Sequence, residues 1–411
     1  MAAALAACLS PAAAAHAQEV RAGAAYERFD LPAGIPLAGY SRRDGRPSTG
    51  VHDPVGVRAV ALEQDGRTVI LTSCDLLVVD ERLADAVQHR LAAARLPHAV
   101  VMIAATHTHS GPGAWGAKFL EKVSMGHYNP AVFARLADAI SRAALQAYAQ
   151  RVPAGMACDT ARLEGWSHNR VDDAGLVDVD VPVCALRRAA DAQPIAVLTG
   201  FAAHPTTLGA SSMALSGDYP GVAARAVEAK FPTALCLFFA GAVADQGPVK
   251  SGGGFEAAER LGEALAGTVI AAVARGTAAP LRDLQAAQER MPLAPATLRL
   301  GTKRVPAWLG RRMVDDDATL TVVRAGLLAL FGVPCDLAAS LGEELKSAAR
   351  ADGLVPLVAG FGSDYIGYCM PAALYETGHY EARMMFNGPA TGPEIIRQLI
   401  AMFKRLAPSP S

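Results

Sequence analysis

An excess of charge is what this 411-residue chain most plainly lacks: 38 basic residues stand against 39 acidic ones, a net charge of −1. With both signs mixed along the sequence, there is no basic face for nucleic acid and no charged tail. A long apolar run is also missing. Met1–Ala15 is Ala-rich and apolar but too short to span a bilayer, so no transmembrane segment is expected. The seven cysteines (Cys8, Cys74, Cys158, Cys184, Cys236, Cys335 and Cys369) include no C-x-x-C pair, which excludes a four-cysteine zinc site. Several sit in strand-like apolar runs and read as small buried hydrophobes, with one or two disulfides allowed in an exported chain. Aromatic residues are only 6% of a sequence that is 52% hydrophobic. Its core is therefore built from Ala and aliphatic side chains, at a length that suits one large or two ordinary domains.

What is present begins with an export-like segment. Met1–Ala17 ends in the small-x-small box Ala15-His16-Ala17 and predicts a signal peptide over 1–17 of a secreted or periplasmic protein, although the usual basic start is absent. Leu5-Ala-Ala-Cys8 is a competing lipoprotein-like box with almost no leader before it. Residues 18–411 then read as one catalytic domain. Val57–Leu62 and Arg67–Thr72 flank a turn and predict a hairpin. Helical spacing covers Glu81–Ala94, and an Asn-Pro start opens a helix over Asn129–Gln150. Strands follow at Val181–Leu186, Ile195–Ala202, Ala234–Ala240 and Leu354–Gly360, alternating with helices at Pro220–Lys230, Glu256–Ala274 and Pro393–Leu406. The alternation predicts an α/β fold with a mixed or parallel central sheet flanked by helices. Periodicity weakens over 280–334, which reads either as an insertion or lid over a site or as core helices.

The chemistry concentrates in His107-Thr-His109-Ser-Gly-Pro-Gly113, which follows the strand-like run ending at Ala105. Two imidazoles two residues apart point the same way on extended backbone. Three other apolar strands also run directly into polar, Gly-punctuated turns: those before His204, Asp245 and Asp364-Tyr-Ile-Gly-Tyr368. Residues just past the carboxyl ends of neighbouring strands converge on one crevice, so a metal site is expected there. Two or three imidazoles and a carboxylate make a zinc-type ligand set.

These residues resemble the neutral/alkaline non-lysosomal ceramidase family. The resemblance is carried by Leu37-Ala-Gly-Tyr40, Gly50-Val-His-Asp-Pro54 with Arg58, Ala105–Gly113, Asn169-Arg170, His204-Pro205, Ser216–Gly221, Gly241–Pro248, Asp364–Tyr368 and Tyr380-Glu-Ala382. It implies a zinc-dependent amidase that splits ceramide into a fatty acid and a sphingoid base, with a lipid substrate and transient contact with a membrane surface. It also implies roles. His107, His204, Asp336 and Tyr368 resemble the ligands of Zn2+, with Glu343 the alternative to Asp336. His109, Arg170 and Tyr380 resemble the catalytic residues. Asp218 and Asp245 are expected either to orient a metal-bound histidine or to serve as turn and helix caps, the cap being favoured for Asp218.

Two positions depart from the family pattern. Asp336 stands where the family has Glu, one methylene shorter. Gly247 stands where the family has a serine proposed as catalytic, so a serine nucleophile at that spot is excluded. The resemblance ends with the last helix and does not reach the family's C-terminal immunoglobulin-like domain. An amidase or esterase acting on another acyl substrate, and a non-catalytic lipid-binding relative, are the alternative expectations.

Overall fold

The computed structural model describes residues 19–407 except 97, 298, 301–302 and 305–313; the expected signal peptide and Cys8 lie outside the described residues. The expected hairpin forms, with Gly56–Gln64 antiparallel to Arg67–Cys74 and Val60 opposite Leu71. Arg21–Arg28 adds to its free edge in antiparallel fashion, and Val100–Ala105 adds to the other edge in parallel. A second run of four strands, Val152–Arg162, Asp180–Arg188, Pro194–Phe201 and Leu235–Ala240, is antiparallel except for its last, parallel pair. With the short strand Ala279–Pro280 paired to Val152–Arg162, the two runs make one nine-stranded mixed sheet, joined only where Arg21 and Ala22 pair with Pro153 and Val152. So narrow a joint lets the sheet curl. Ser73 Oγ donates to the Phe238 carbonyl at 2.6 Å, between strands far apart in sheet order. The curl brings the carboxyl ends of Val100–Ala105 and Pro194–Phe201 together.

Gln285–Pro292, Asp317–Ala325, Leu328–Val333 and Val355–Gly360 form a second, four-stranded sheet. The expectation of core helices over 280–334 is thus replaced by core strands. Leu328–Val333 is buried on both faces. It therefore lacks the polar alternation that marks a half-exposed strand. The two sheets stack face to face: Leu71, Met102, Leu198 and Phe239 pack with Leu330 and Leu357 between them. Alternation along each strand sends the next residues the other way. Ile70 and Ile103 meet Leu83, Val87, Leu136 and Ile140 of the helices Glu81–Ala93 and Pro130–Ala149. On the far side Phe331 and Val358 meet Leu345, Ile396 and Phe403 of Ala339–Ala351 and Thr391–Arg405. The architecture is four-layered, helix–sheet–sheet–helix, with helices on one face of each sheet.

Local signals fix the helix starts where packing alone would not. Asp80 accepts from the Leu83 amide at 2.8 Å, and Asn129 caps the helix that Pro130 opens. Thr391–Arg405 has no side-chain cap but buries Ile395, Ile396, Leu399, Met402 and Phe403. At about 1.5–3 kcal/mol for each such side chain, burial outweighs a missing cap worth about 1 kcal/mol. Among the cysteines, Cys158 and Cys184, opposite each other on adjacent strands, form a disulfide, while Cys74, Cys236, Cys335 and Cys369 are free and buried. No described helix is long and apolar enough to cross a membrane.

Candidate metal and catalytic site

The parallel strand ends carry the site. His107 follows Val100–Ala105, His204 follows Pro194–Phe201, and Asp336 follows Leu328–Val333. The backbone at His107 is not extended as the H-x-H spacing implied: its φ of 63° is left-handed, a conformation that costs a non-glycine residue about 1–3 kcal/mol. The site sustains it. His107 Nδ1 donates to the Leu77 carbonyl at 2.6 Å, and the ring stacks on Phe361 with centroids 3.8 Å apart. Convergence therefore comes from this turn and not from strand pleating. The Nε2 atoms of His107 and His204 lie 2.9 Å apart, and His109 Nε2 is 3.3 Å and 3.2 Å from them.

That cluster is electron-rich. His107 and His204 each direct Nδ1 at a backbone carbonyl, of Leu77 and of Val243, so Nδ1 carries the proton and Nε2 presents a lone pair. Burial drives the His107 pKa down to about 3 and those of His109 and His204 well below the ordinary value, so no proton relieves the repulsion. Asp336 is fully buried, and its Oδ1 lies 3.6 Å from His107 Nε2 without a hydrogen-bond partner. Its Oδ2 accepts from the Tyr365 hydroxyl at 2.8 Å. Burial raises the Asp336 pKa to about 7 against the lowering pull of Tyr365 and Arg170. Three inward lone pairs and an orphaned carboxylate oxygen are stabilised together by a cation. Nitrogen donors about 2.0–2.1 Å from a tetrahedral ion stand about 3.3 Å apart, close to the observed spacings. His107, His109 and His204 form a group able to hold a metal ion.

The other expected residues sort themselves around this floor. Tyr368 lies opposite Asp336 in a short parallel pairing, and its hydroxyl accepts from Arg170 Nη2 at 3.1 Å. Arg170 is aimed by the Ala244 carbonyl and by Glu381 at 3.2 Å, with 25% of its side chain open to solvent. Tyr380 is exposed and meets the Tyr368 ring edge-on, with centroids 5.8 Å apart. Glu343 is not brought in: it pairs with Arg350 on a helix surface. Asp364 also stays away from the histidines, accepting from the Thr319 and Tyr365 amides.

Asp218 is no imidazole partner, and it does not occupy the N-cap position although it bonds one first-turn amide. The helix Asp218–Lys230 has Gly217 as its N-cap, and the Asp218 carboxylate accepts from the Thr207 hydroxyl and the Leu208 and Tyr219 amides. It thereby pins the loop that follows His204. Asp245 touches no histidine and instead receives Asn169, Gln246 and the Ala339 amide at the start of a helix. Gly247 is pertinent too. A side chain there meets His168, with Cε1 2.7 Å and Nε2 2.9 Å from its Cβ position, and none of the three histidines.

Sequence reasoning missed Leu77, Val243, Phe361, Tyr365 and Glu381 as site residues. Val243, Tyr365 and Glu381 fall inside quoted motifs, but none was singled out there. Above the floor opens a pocket of about 300 Å³ with apolar walls that include Leu77, Val78, Leu120, Val123, Met384 and Phe386.

Fold and site together define an α/β protein with a buried, metal-capable histidine cluster at the carboxyl ends of its strands. Within that class the chain belongs to the neutral/alkaline non-lysosomal ceramidase family, whose N-terminal region matches residues 31–274. It is 27% identical over 206 residues to the neutral ceramidase of Mycobacterium tuberculosis, covering 46% of this chain and 32% of that one. It is 26% identical over 205 residues to the neutral ceramidase of Pseudomonas aeruginosa, covering 46% and 30%. The chain thus matches about a third of the length of these relatives. In structure it is similar to the neutral ceramidase from Pseudomonas aeruginosa, with a TM-score of 0.84 and 19% identity over 96% of this chain and 76% of that one. A ceramidase complexed with C2 gives 0.83 and 18%, over 96% and 77%.

Proposed function

We propose that the chain is a zinc-dependent hydrolase that cleaves the N-acyl amide bond of ceramide, releasing a fatty acid and a sphingoid base. The observation that carries the reading is the convergence of three imidazoles and an orphaned Asp336 oxygen at the floor of an apolar pocket, in a member of this family. His107, His204, Asp336 and Tyr368 would hold the ion. When bound, zinc supplies a Lewis acid and lowers the pKa of a water to about 7.

The chain's own groups do the rest. The Nδ1 bonds of His107 and His204 orient them as ligands, as carbonyl acceptors do for metal-bound imidazoles. His109 Nδ1 has no such bond. Its ring is therefore the one we assign to take a proton from water and return it to the leaving amine. Arg170 presents a fixed cation to the oxygen on which charge develops, and Tyr380 donates to the same oxygen. The apolar walls receive the acyl chain and exclude water.

A second reading keeps the chemistry and changes the acyl substrate. It is favoured by the cavity, whose volume of about 300 Å³ is at the small end for a ligand with two long chains. Export through Met1–Ala17 and transient contact with a lipid surface complete the proposal. The test measures bound metal and turnover of a fluorescent ceramide beside simple amides and esters, with and without chelator. Full metal content and full activity in His107→Ala would overturn the scheme. Turnover of short acyl substrates alone would select the second reading.

A further inference from the structure

Leu37-Ala-Gly-Tyr40 stands out in the sequence but has no part in the chemistry above. In the structure it leads into Arg43, a guanidinium only 1% exposed that makes no ion pair among the described residues. A buried, unpaired cation is expensive unless its donors are used. Arg43 Nη1 donates to the carbonyls of Ala38 and His109, and Nη2 lies 3.4 Å from both Ser110 Oγ and the Gly209 carbonyl. One side chain thus ties together the Ala38 segment, the His109 loop and the loop that follows His204. The guanidinium also lies 4.8 Å from the centre of the Tyr40 ring, which is 5.0 Å from the His109 ring. Tyr40 is held in turn by its hydroxyl bond to the Leu208 carbonyl at 2.9 Å. Gly39 closes the bracket: at φ +109° it passes so near that a Cβ would sit 2.8 Å from His109 Cα, Cβ and Cγ.

We propose that Arg43 is a positioning residue for His109, acting through that residue's main chain, with Gly39 and Tyr40 holding the ring. This rests on the reading of His109 as the acid–base group. His107 and His204 are aimed by carbonyls hydrogen-bonded to their own Nδ1 atoms, whereas His109 Nδ1 makes no full hydrogen bond and its ring only nears the Gly39 backbone. Its ring direction follows from how its backbone is held: the carbonyl by Arg43 and the amide by Pro205 at 3.3 Å. Lysine keeps the charge but cannot reach several carbonyls at once, because it lacks the planar fork of donors.

The experiment uses zinc-loaded full chain carrying Arg43→Lys, with Arg43→Gln as a second variant should the first fail to fold. It has two readouts. In turnover of fluorescent ceramide, Arg43→Lys lowers kcat 10–100-fold, the range typical of residues that orient a site, with KM and zinc content near wild type. In a His109→Ala background the same change has no further effect on kcat, because its target is gone. In imidazole ¹⁵N spectra, the His109 ring resonances move while those of His107 and His204 stay in place. Equal losses of kcat in the two backgrounds, or shifts spread over all three rings or over none, would overturn the proposal. A wild type that turns over neither ceramide nor simple amides and esters would defeat the hydrolase reading instead, and the spectra would still decide the role of Arg43.

Discussion

Asp336→Asn is predicted to have opposite effects on stability with and without metal. In the metal-free protein the carboxylate is fully buried, Oδ1 lacks a partner, and burial lifts the pKa from 3.8 to about 7. At pH 8 the group is ionised, and about 3 pK units at 1.36 kcal/mol each set an upper bound of about 4 kcal/mol on the cost of that charge. Asparagine has nearly the same shape, still accepts from Tyr365 and carries no charge. The chelated variant is therefore expected to be more stable than chelated wild type by roughly 2–4 kcal/mol. At about 2.1 cal/mol/K per residue, 1 kcal/mol moves Tm by about 1 °C in a chain this long, so Tm rises by about 2–4 °C. With excess zinc the order reverses. Loss of an anionic ligand that weakens binding a hundredfold removes about 2.7 kcal/mol of ligand stabilisation, and zinc also cancels the cost of the charge in wild type.

The pH dependence carries a definite sign. A carboxyl whose folded pKa is raised binds more protons folded than unfolded between about pH 4 and 7, so its contribution falls as pH rises through that window and is flat above it. The three histidines have depressed folded values and act with the opposite sign, gaining stability as pH rises towards 6.5. Subtracting the variant's curve from that of wild type removes the histidines and isolates Asp336. The assay is urea unfolding at pH 4, 5.5, 7 and 8, in chelator and in zinc. A chelated variant less stable than wild type at pH 8, or a difference that ignores zinc, would refute the assignment of Asp336 to the cation site.

Three other changes test separate parts of the structure. Gly247→Ser restores the family's serine but directs it at His168, which is exposed and free to swing aside; ceramide hydrolysis is expected not to rise, and a gain of activity would mean that this position reaches the substrate. Replacing Cys158 and Cys184 by serine opens a cross-link between residues 26 apart and should lower stability by about 3–4 kcal/mol in chemical unfolding, the loss being absent when wild type is measured fully reduced. Lys346→Met removes the buried cation held by Asp178 and Asp180; the stranded acid should cost about 3–5 kcal/mol in urea unfolding with little change in kcat, because none of the three lines the histidine pocket.

Much of the first sheet was legible because its signals are local. A β-branched hairpin around Asp65-Gly66, an Asn-Pro helix start and apolar strands running into histidine-bearing turns each declare themselves within a few residues. Of the second sheet only Val355–Gly360, expected as Leu354–Gly360, was legible. Asp317–Ala325 and Leu328–Val333 are covered by the first sheet on one face and by helices on the other, which erases the polar alternation that would mark them as strands. The site divides in the same way. His107 and His204 could be found because histidine is scarce, with only 10 in the chain, and each follows an apolar strand, whereas Asp336 came from the family resemblance alone: the carboxylates that the strand pattern offered, Asp245 and Asp364, bond elsewhere. Leu77 and Val243 act through backbone carbonyls, which every residue has, so nothing in their side chains marks them. Asp218 misled for a related reason: an Asp before a helix usually caps it, and only the fold shows the carboxylate turned towards Thr207 and Leu208. Arg43 combines both difficulties, because its partners are carbonyls scattered over some 170 positions of chain. Roles that depend on residue type can be read before folding. Roles that depend on which carbonyl faces which donor are set by how the sheet curls, and the division of labour among His107, His109 and His204 is of the second kind.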